Sequence, residues 1–185
     1  MNIVQPFPRD RIQDIANWLK NYKEMYYVIF LIGISVCIRI SDILKLKKSD
    51  MENTDRIVIR EKKTGKTKIF PLKPHIAKIV KDYIKNYCHE DQEYIFIGKK
   101  GARLDRTAVW RVFNRCINEL GITMKCGTHS CRKYMAKNLY EQTQDIALVM
   151  DILNHSNMRT TFRYLCLTEE RVKNAVLNFD LGLTI

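Results

Sequence analysis

No two of the six cysteines (Cys37, Cys88, Cys116, Cys126, Cys131, Cys166) form a C-x-x-C pair. Scattered in this way they argue against a zinc site or a disulfide framework and read as reduced, partly buried thiols. A membrane-spanning run is also missing. The most apolar segment, Met25 to Ile38, is too short to cross a bilayer, contains Gly33 and Ser35, and ends directly in Arg39, so it reads as a buried helix. The N-terminus lacks a positively charged start followed by an apolar core and a small-residue cleavage site, so a cytoplasmic location is expected. Internal repeats and low-complexity tracts are absent as well. Acidic residues are scarce relative to basic ones, 20 Asp plus Glu against 32 Lys plus Arg, for a net charge of +12. That imbalance favours a polyanionic partner, and DNA, RNA and an anionic membrane surface all fit it.

What is present reads as globular. The chain has 185 residues, 46% hydrophobic and 28% charged, which suits a single domain with a real core. Pro6 and Pro8 make residues 1–8 an incoming arm. Ile12, Ile15, Ala16 and Leu19 repeat with helical spacing, predicting a helix over 9–22, with the buried helix following over about 24–36. Ser41 can cap the next short helix, which would leave Arg39 just before the cap and Asp42 in the first turn. Alternation in Arg56–Arg60 and in Thr67–Leu72 predicts a hairpin around Thr64-Gly65, with Lys63 at the entrance to its turn. Helices are predicted over 75–87 and from about Val109 to Leu120, the latter ended by Gly121. Tyr94–Ile97 would add a short third strand. Thr128 can cap a helix over about 129–142, with His129 and Arg132 in its first turn, and another helix is predicted over 144–153. Thr168 would cap a last helix to about Phe179, with Glu169 and Glu170 favourably placed for its dipole. The expected class is mainly α with a small antiparallel sheet (α+β).

The chemistry-bearing residues come in a definite order. Arg39 interrupts an apolar region; His129 and Arg132 form His-x-x-Arg in THSCRK; and ILNHSNMRTTFRYL carries His155, Thr160, Thr161 and Tyr164, nine residues after the histidine. Breaking a phosphodiester without metal needs a nucleophile, charge neutralisation on the non-bridging oxygens, and a proton for the leaving oxygen. A tyrosine hydroxyl, with an ordinary pKa near 10, can be the nucleophile once helped to lose its proton. Guanidinium forks match two phosphate oxygens and stay charged.

In order, type and spacing this set resembles the tyrosine recombinase (phage integrase) family, from about Arg39 to Tyr164. The resemblance implies the catalytic-domain fold of that family and a site-specific DNA recombinase. Arg39, Lys63, His129, Arg132, His155 and Tyr164 would be catalytic. Tyr164 would form a 3′-phosphotyrosyl linkage and release a 5′ hydroxyl, with no metal, ATP or other cofactor. His129 would assist proton removal, His155 would bond a phosphate oxygen, and Lys63 would protonate the leaving oxygen, although Lys62 and Lys66 flank the same turn. Double-stranded DNA is the implied partner, with a homotetramer on DNA and a monomer or weak oligomer off it. Lys45, Lys47, Lys48, Lys66, Lys68, Lys99, Lys100, Arg103 and Arg106 would line the DNA track.

Six positions, in four places, depart from the family pattern. Val36 and Cys37 stand for Thr-Gly, Asp42 for a supporting Glu, Ser130-Cys131 for Asp-Leu, and Asn154 for Gly, the last requiring positive φ. The helical N-terminal domain common in the family has no counterpart before Arg9, so residues 1–185 are expected to be one catalytic domain. The last helix would dock either on its own domain or on a neighbouring subunit. Outside the recombinase reading, a DNA-binding module without turnover and a topoisomerase-like relaxing enzyme remain open. Arg39 paired with Asp42 as a structural ion pair is open too.

Overall fold

The helix α2 (Glu24–Ser35) explains most of the first part of the structure. Beyond Glu24 it carries no charge, and Val28, Ile29, Phe30 and Ile32 are fully buried. Its neighbours are amphipathic: α1 (Ile12–Tyr22) buries Ile15, Ala16 and Leu19, and α4 (Pro74–Tyr87) buries Ile76, Ala77, Val80, Tyr83 and Ile84. Pro74 opens α4, where a missing N–H leaves no hydrogen bond unmade. In this computed structural model, residues 4–60, 65, 67–98, 101–167 and 176–179 are described.

Between α2 and α4 lie α3 (Ile40–Ile43) and a hairpin of β1 (Arg56–Arg60) and β2 (Thr67–Pro71), antiparallel with Arg56 opposite Pro71 and Arg60 opposite Thr67. Gly65 has φ 68, the left-handed conformation that the expected turn needs. Lys63 lies outside the described residues. The predicted third strand does not form. Tyr94 and Ile97 each make one isolated bridge, to Lys47 and Arg103 respectively, because Gln92 and the loop at Gly98–Leu104 take the backbone bonds that a ladder would use.

α5 (Arg106–Glu119) is capped by Asp105, whose side chain accepts from the Thr107 N–H at 2.7 Å. Gly121 ends the run with φ 64. α6 (Thr128–Thr143) follows, with Thr128 as its first helical residue and not a cap before it. Ser41 likewise lies inside α3; the cap position is held by Arg39, in extended conformation and without a side-chain capping bond.

The chain groups into two compact units, 1–135 and 136–185. The second contains the end of α6, then α7 (Ile146–Leu153) and α8 (Met158–Leu165). α8 was not assigned from sequence. Its cap is Asn157, whose side chain accepts from the Arg159 and Thr160 N–H groups at 2.8 and 3.3 Å. The expected helix from Thr168 falls largely outside the described residues. Among the described residues no helix is long and apolar enough to cross a membrane.

Candidate active site

In the first unit, the start of α6 is pressed onto α2. A Cβ on Gly33 would meet the Cβ of Cys131 at 2.9 Å and its Sγ at 3.1 Å, so only glycine lets the two helices come this close. Ser130 and Cys131 are buried beneath the turn, and His129 faces outward from it. Arg132 and Lys133 follow, both buried, at 7% and 5% exposure. Cys37 Sγ donates to the Arg132 carbonyl at 3.5 Å. Burial pushes the Cys37 thiol up to about 11, against a smaller opposing pull from Arg132, so at neutral pH it is a donor and not a thiolate.

His129 records what surrounds it. Its imidazole is held below the ordinary histidine value first by desolvation, then by the positive charges of Arg132, Arg106, Lys133 and Arg39. Although the residue is exposed at the surface, enough protein flanks the ring for desolvation to lead. The four cations come from the cap of α3, the first residue of α5 and the first turns of α6. A neutral imidazole among four cations at a helix start is an electrostatic environment suited to an anion. Arg39 and Arg132 thus act on the same ring. Arg106, expected only along a DNA track, bears on it too. Lys133 was missed entirely; a lysine beside an arginine in a basic chain carries no mark in the sequence.

In the second unit, α7 ends at Asn154 with φ 56 and ψ 48, the left-handed geometry needed where asparagine replaces glycine. The His155 N–H closes that turn onto the Met150 carbonyl at 2.9 Å. The His155 ring is then fixed by Nδ1 at 3.1 Å from Thr161 Oγ1, on a threonine with no exposure. One face of α8 brings Tyr164 against it: the rings meet edge to face, centroids 5.3 Å apart at 84°. Tyr164 is half-buried. The spacing from histidine to tyrosine is therefore one tight turn plus most of a helix, and it places the two rings in contact.

The remaining expected residues divide. Asp42 lies in the first turn of α3 with Oδ1 3.9 Å from Lys45 Nζ. Lys47 pairs with Glu93 at 2.7 Å, and Lys48 Nζ donates to the His89 and Glu90 carbonyls at 2.7 and 3.1 Å. The Arg103 guanidinium sits over the Tyr94 ring at 5.6 Å. Lys68 is on β2. Lys63, Lys66, Lys99 and Lys100 lie outside the described residues.

Comparison with known proteins places this geometry in context. The phage integrase family matches residues 7–171. The chain is 31% identical over 177 residues to a probable integrase/recombinase, YoeC, of Bacillus subtilis, covering 95% of this chain and 96% of that one. It is 26% identical over 178 residues to the tyrosine recombinase XerA of Thermococcus onnurineus, covering 94% of this chain but 62% of the relative. The chain thus spans nearly all of one curated relative and somewhat under two thirds of the other. Among solved structures, XerA recombinase superposes with a TM-score of 0.78 at 20% identity, over 97% of this chain and 67% of that one. XerH site-specific recombinase bound to palindromic difH substrate, in a post-cleavage complex, gives 0.74 at 22% identity, over 94% and 53%. These likenesses bear on the fold: a tyrosine recombinase catalytic domain, mostly helical with one small antiparallel sheet.

Proposed function

The chain belongs to the phage integrase family of tyrosine recombinases, site-specific DNA recombinases, and from that premise we propose that it cuts and rejoins DNA strands through a covalent bond to Tyr164. The observation that carries the proposal is the Tyr164 ring held edge to face on a His155 ring that Thr161 fixes. In support stand the positive charges of Arg39, Arg106, Arg132 and Lys133 around the His129 imidazole, as a group. Such a group neutralises a phosphodiester while leaving a neutral histidine able to take a proton.

The reaction runs as follows. Arg39 and Arg132 hold the non-bridging oxygens of one phosphate, and His155, kept in place by Thr161, bonds a phosphate oxygen. Tyr164 attacks phosphorus as His129 assists removal of its proton. The bond from phosphorus to the 5′ oxygen breaks, Lys63 protonates that oxygen, and the 3′ phosphate remains on Tyr164. A second 5′ hydroxyl reverses these steps on another strand. The bond energy stays in the phosphotyrosyl ester, so no ATP is needed, and the charge neutralisation that a metal would otherwise supply is assigned to the arginines. The assembly proposed on DNA is a homotetramer.

A nicked duplex of a cognate site tests this. When the segment beyond the cut diffuses away, the wild-type protein accumulates an adduct on a denaturing gel and Tyr164→Phe accumulates none. No adduct on a verified site would leave a DNA-binding module. Relaxation of any supercoiled plasmid without strand exchange would indicate a topoisomerase-like activity. Binding should weaken steeply with salt, with a log–log slope of roughly −0.9 per phosphate contact; a flat response would argue against DNA.

A further inference from the structure

The first turn of α6 is tied to the N-terminal arm by a short chain of hydrogen bonds centred on Ser130, which has no exposed surface. Ser130 Oγ accepts from the Gly127 N–H at 2.9 Å and donates to the Gln5 carbonyl at 2.6 Å. The Gln5 N–H donates in turn to the Lys125 carbonyl at 2.8 Å, so one backbone group of Gln5 bonds the segment leading into α6 and the other its first turn. Cys126 Sγ reaches the Pro6 carbonyl at 3.9 Å. The arm is itself anchored: Phe7 is buried and meets Phe30 and Phe113 edge to face, with centroids 5.7 and 6.1 Å away.

We propose that the arm from Gln5 to Phe7 is a strap that positions the first turn of α6, with Ser130 the positioning residue that joins strap to helix. The proposal rests on the reading of His129 and Arg132 as groups that handle the scissile phosphate. Ser130 is adjacent to one in sequence and two residues from the other. The opening residues of a helix have backbone N–H groups without intrahelical partners, so its start is fixed by what lies outside it. Here the hold from outside is made through a side chain: the Ser130 hydroxyl donates to the Gln5 carbonyl, from the far end of the unit, on an arm held by a phenylalanine in the core. Where the family has Asp-Leu between histidine and arginine, this chain has a hydroxyl of the right size to sit between Gly127 and Gln5, and a cysteine that packs on Gly33. The departure thereby acquires a physical role.

Two variants break the strap from opposite sides. Ser130→Ala removes the hydroxyl and leaves the buried Gly127 N–H and the half-buried Gln5 carbonyl without it. Gln5→Pro removes the N–H bonded to Lys125 and leaves Ser130 in place, so it carries the test if the first variant does not fold. For each folded variant, adduct formation at saturating DNA, affinity for the site, and the titration of His129 by NMR are measured. The expected result is a cleavage rate lower by on the order of 10- to 100-fold, the effect of a small misplacement of reacting groups, with affinity unchanged. The His129 titration should move towards the ordinary histidine value as the ring shifts relative to Arg39, Arg106, Arg132 and Lys133. A wild-type rate, or a slowed rate with His129 titrating as before, overturns the proposal. If the wild-type protein forms no adduct on any site, the recombinase reading fails. The titration alone then decides on the strap: moved supports it, unmoved overturns it.

Discussion

Replacing Arg132 gives the sharpest energetic consequence of the site. The side chain is buried at 7% exposure, its backbone carbonyl is held by Cys37, and its charge is the leading electrostatic cause, after desolvation, of the depressed His129 value. It should therefore do two separable things. As a preorganised donor to the transition-state phosphate, it should be worth a factor of about 100 to 1000 in rate, or about 2.7–4 kcal/mol. As a nearby positive charge, it should keep the imidazole neutral. Arg132→Ala should lower single-turnover adduct formation by that factor and raise the His129 titration midpoint. Arg132→Lys keeps the charge and loses the planar fork, so it should lose most of the rate while leaving His129 nearly where it was. Rapid-quench cleavage on the nicked substrate gives the first quantity and imidazole NMR the second. Because only one phosphate contact among several is altered, site affinity should change little. Near-wild-type cleavage in both variants, with the His129 titration unmoved, would refute the assignment of Arg132 to the phosphate.

Other outcomes follow from the same geometry. Since the folded His129 value lies below the ordinary one, the folded state binds fewer protons in that window; stability should rise with pH through it and the penalty should appear on acidification. Adduct formation should likewise rise from acidic towards neutral pH, with its midpoint below the ordinary histidine value, and a rate flat from about pH 5 to 8 would remove the base role. Lys63→Ala should slow cleavage yet recover on a substrate with a more acidic 5′ leaving group; no recovery would remove the general-acid role. Gly33→Ala should destabilise by about 1–3 kcal/mol through overpacking against Cys131, read as a lower denaturation midpoint, and an unchanged midpoint would contradict the close contact of α2 and α6.

Much of this fold was readable because the signals are local. An uncharged run from Met25 gives a helix buried all round, and alternation at Arg56–Arg60 gives a strand with Ile57 fully inside. The left-handed turn at Asn154 was readable as a requirement, since glycine is usual there. Less legible features depend on tertiary partners. Ser41 has the better capping side chain, but α3 starts two residues too early to use it, with the extended Arg39 at the cap position. α8 has Met158, Phe162 and Leu165 at helical spacing, yet Arg159, Thr160 and Arg163 between them obscure the stripe. The bond of the Ser130 hydroxyl shows only once a segment more than a hundred residues away is in place, and the burial of Lys133 shows only in the folded chain. Order and spacing nominated the chemical groups; the folded chain adds what holds some of them still, as Thr161 does for His155.

The most direct test is to isolate the covalent protein–DNA adduct, digest both components, and locate the linkage by mass spectrometry. A nucleotide attached through its 3′ phosphate to the peptide that contains Tyr164, with a free 5′ hydroxyl on the released strand, is the predicted result. Attachment at any other residue, or through a 5′ phosphate, would contradict the account.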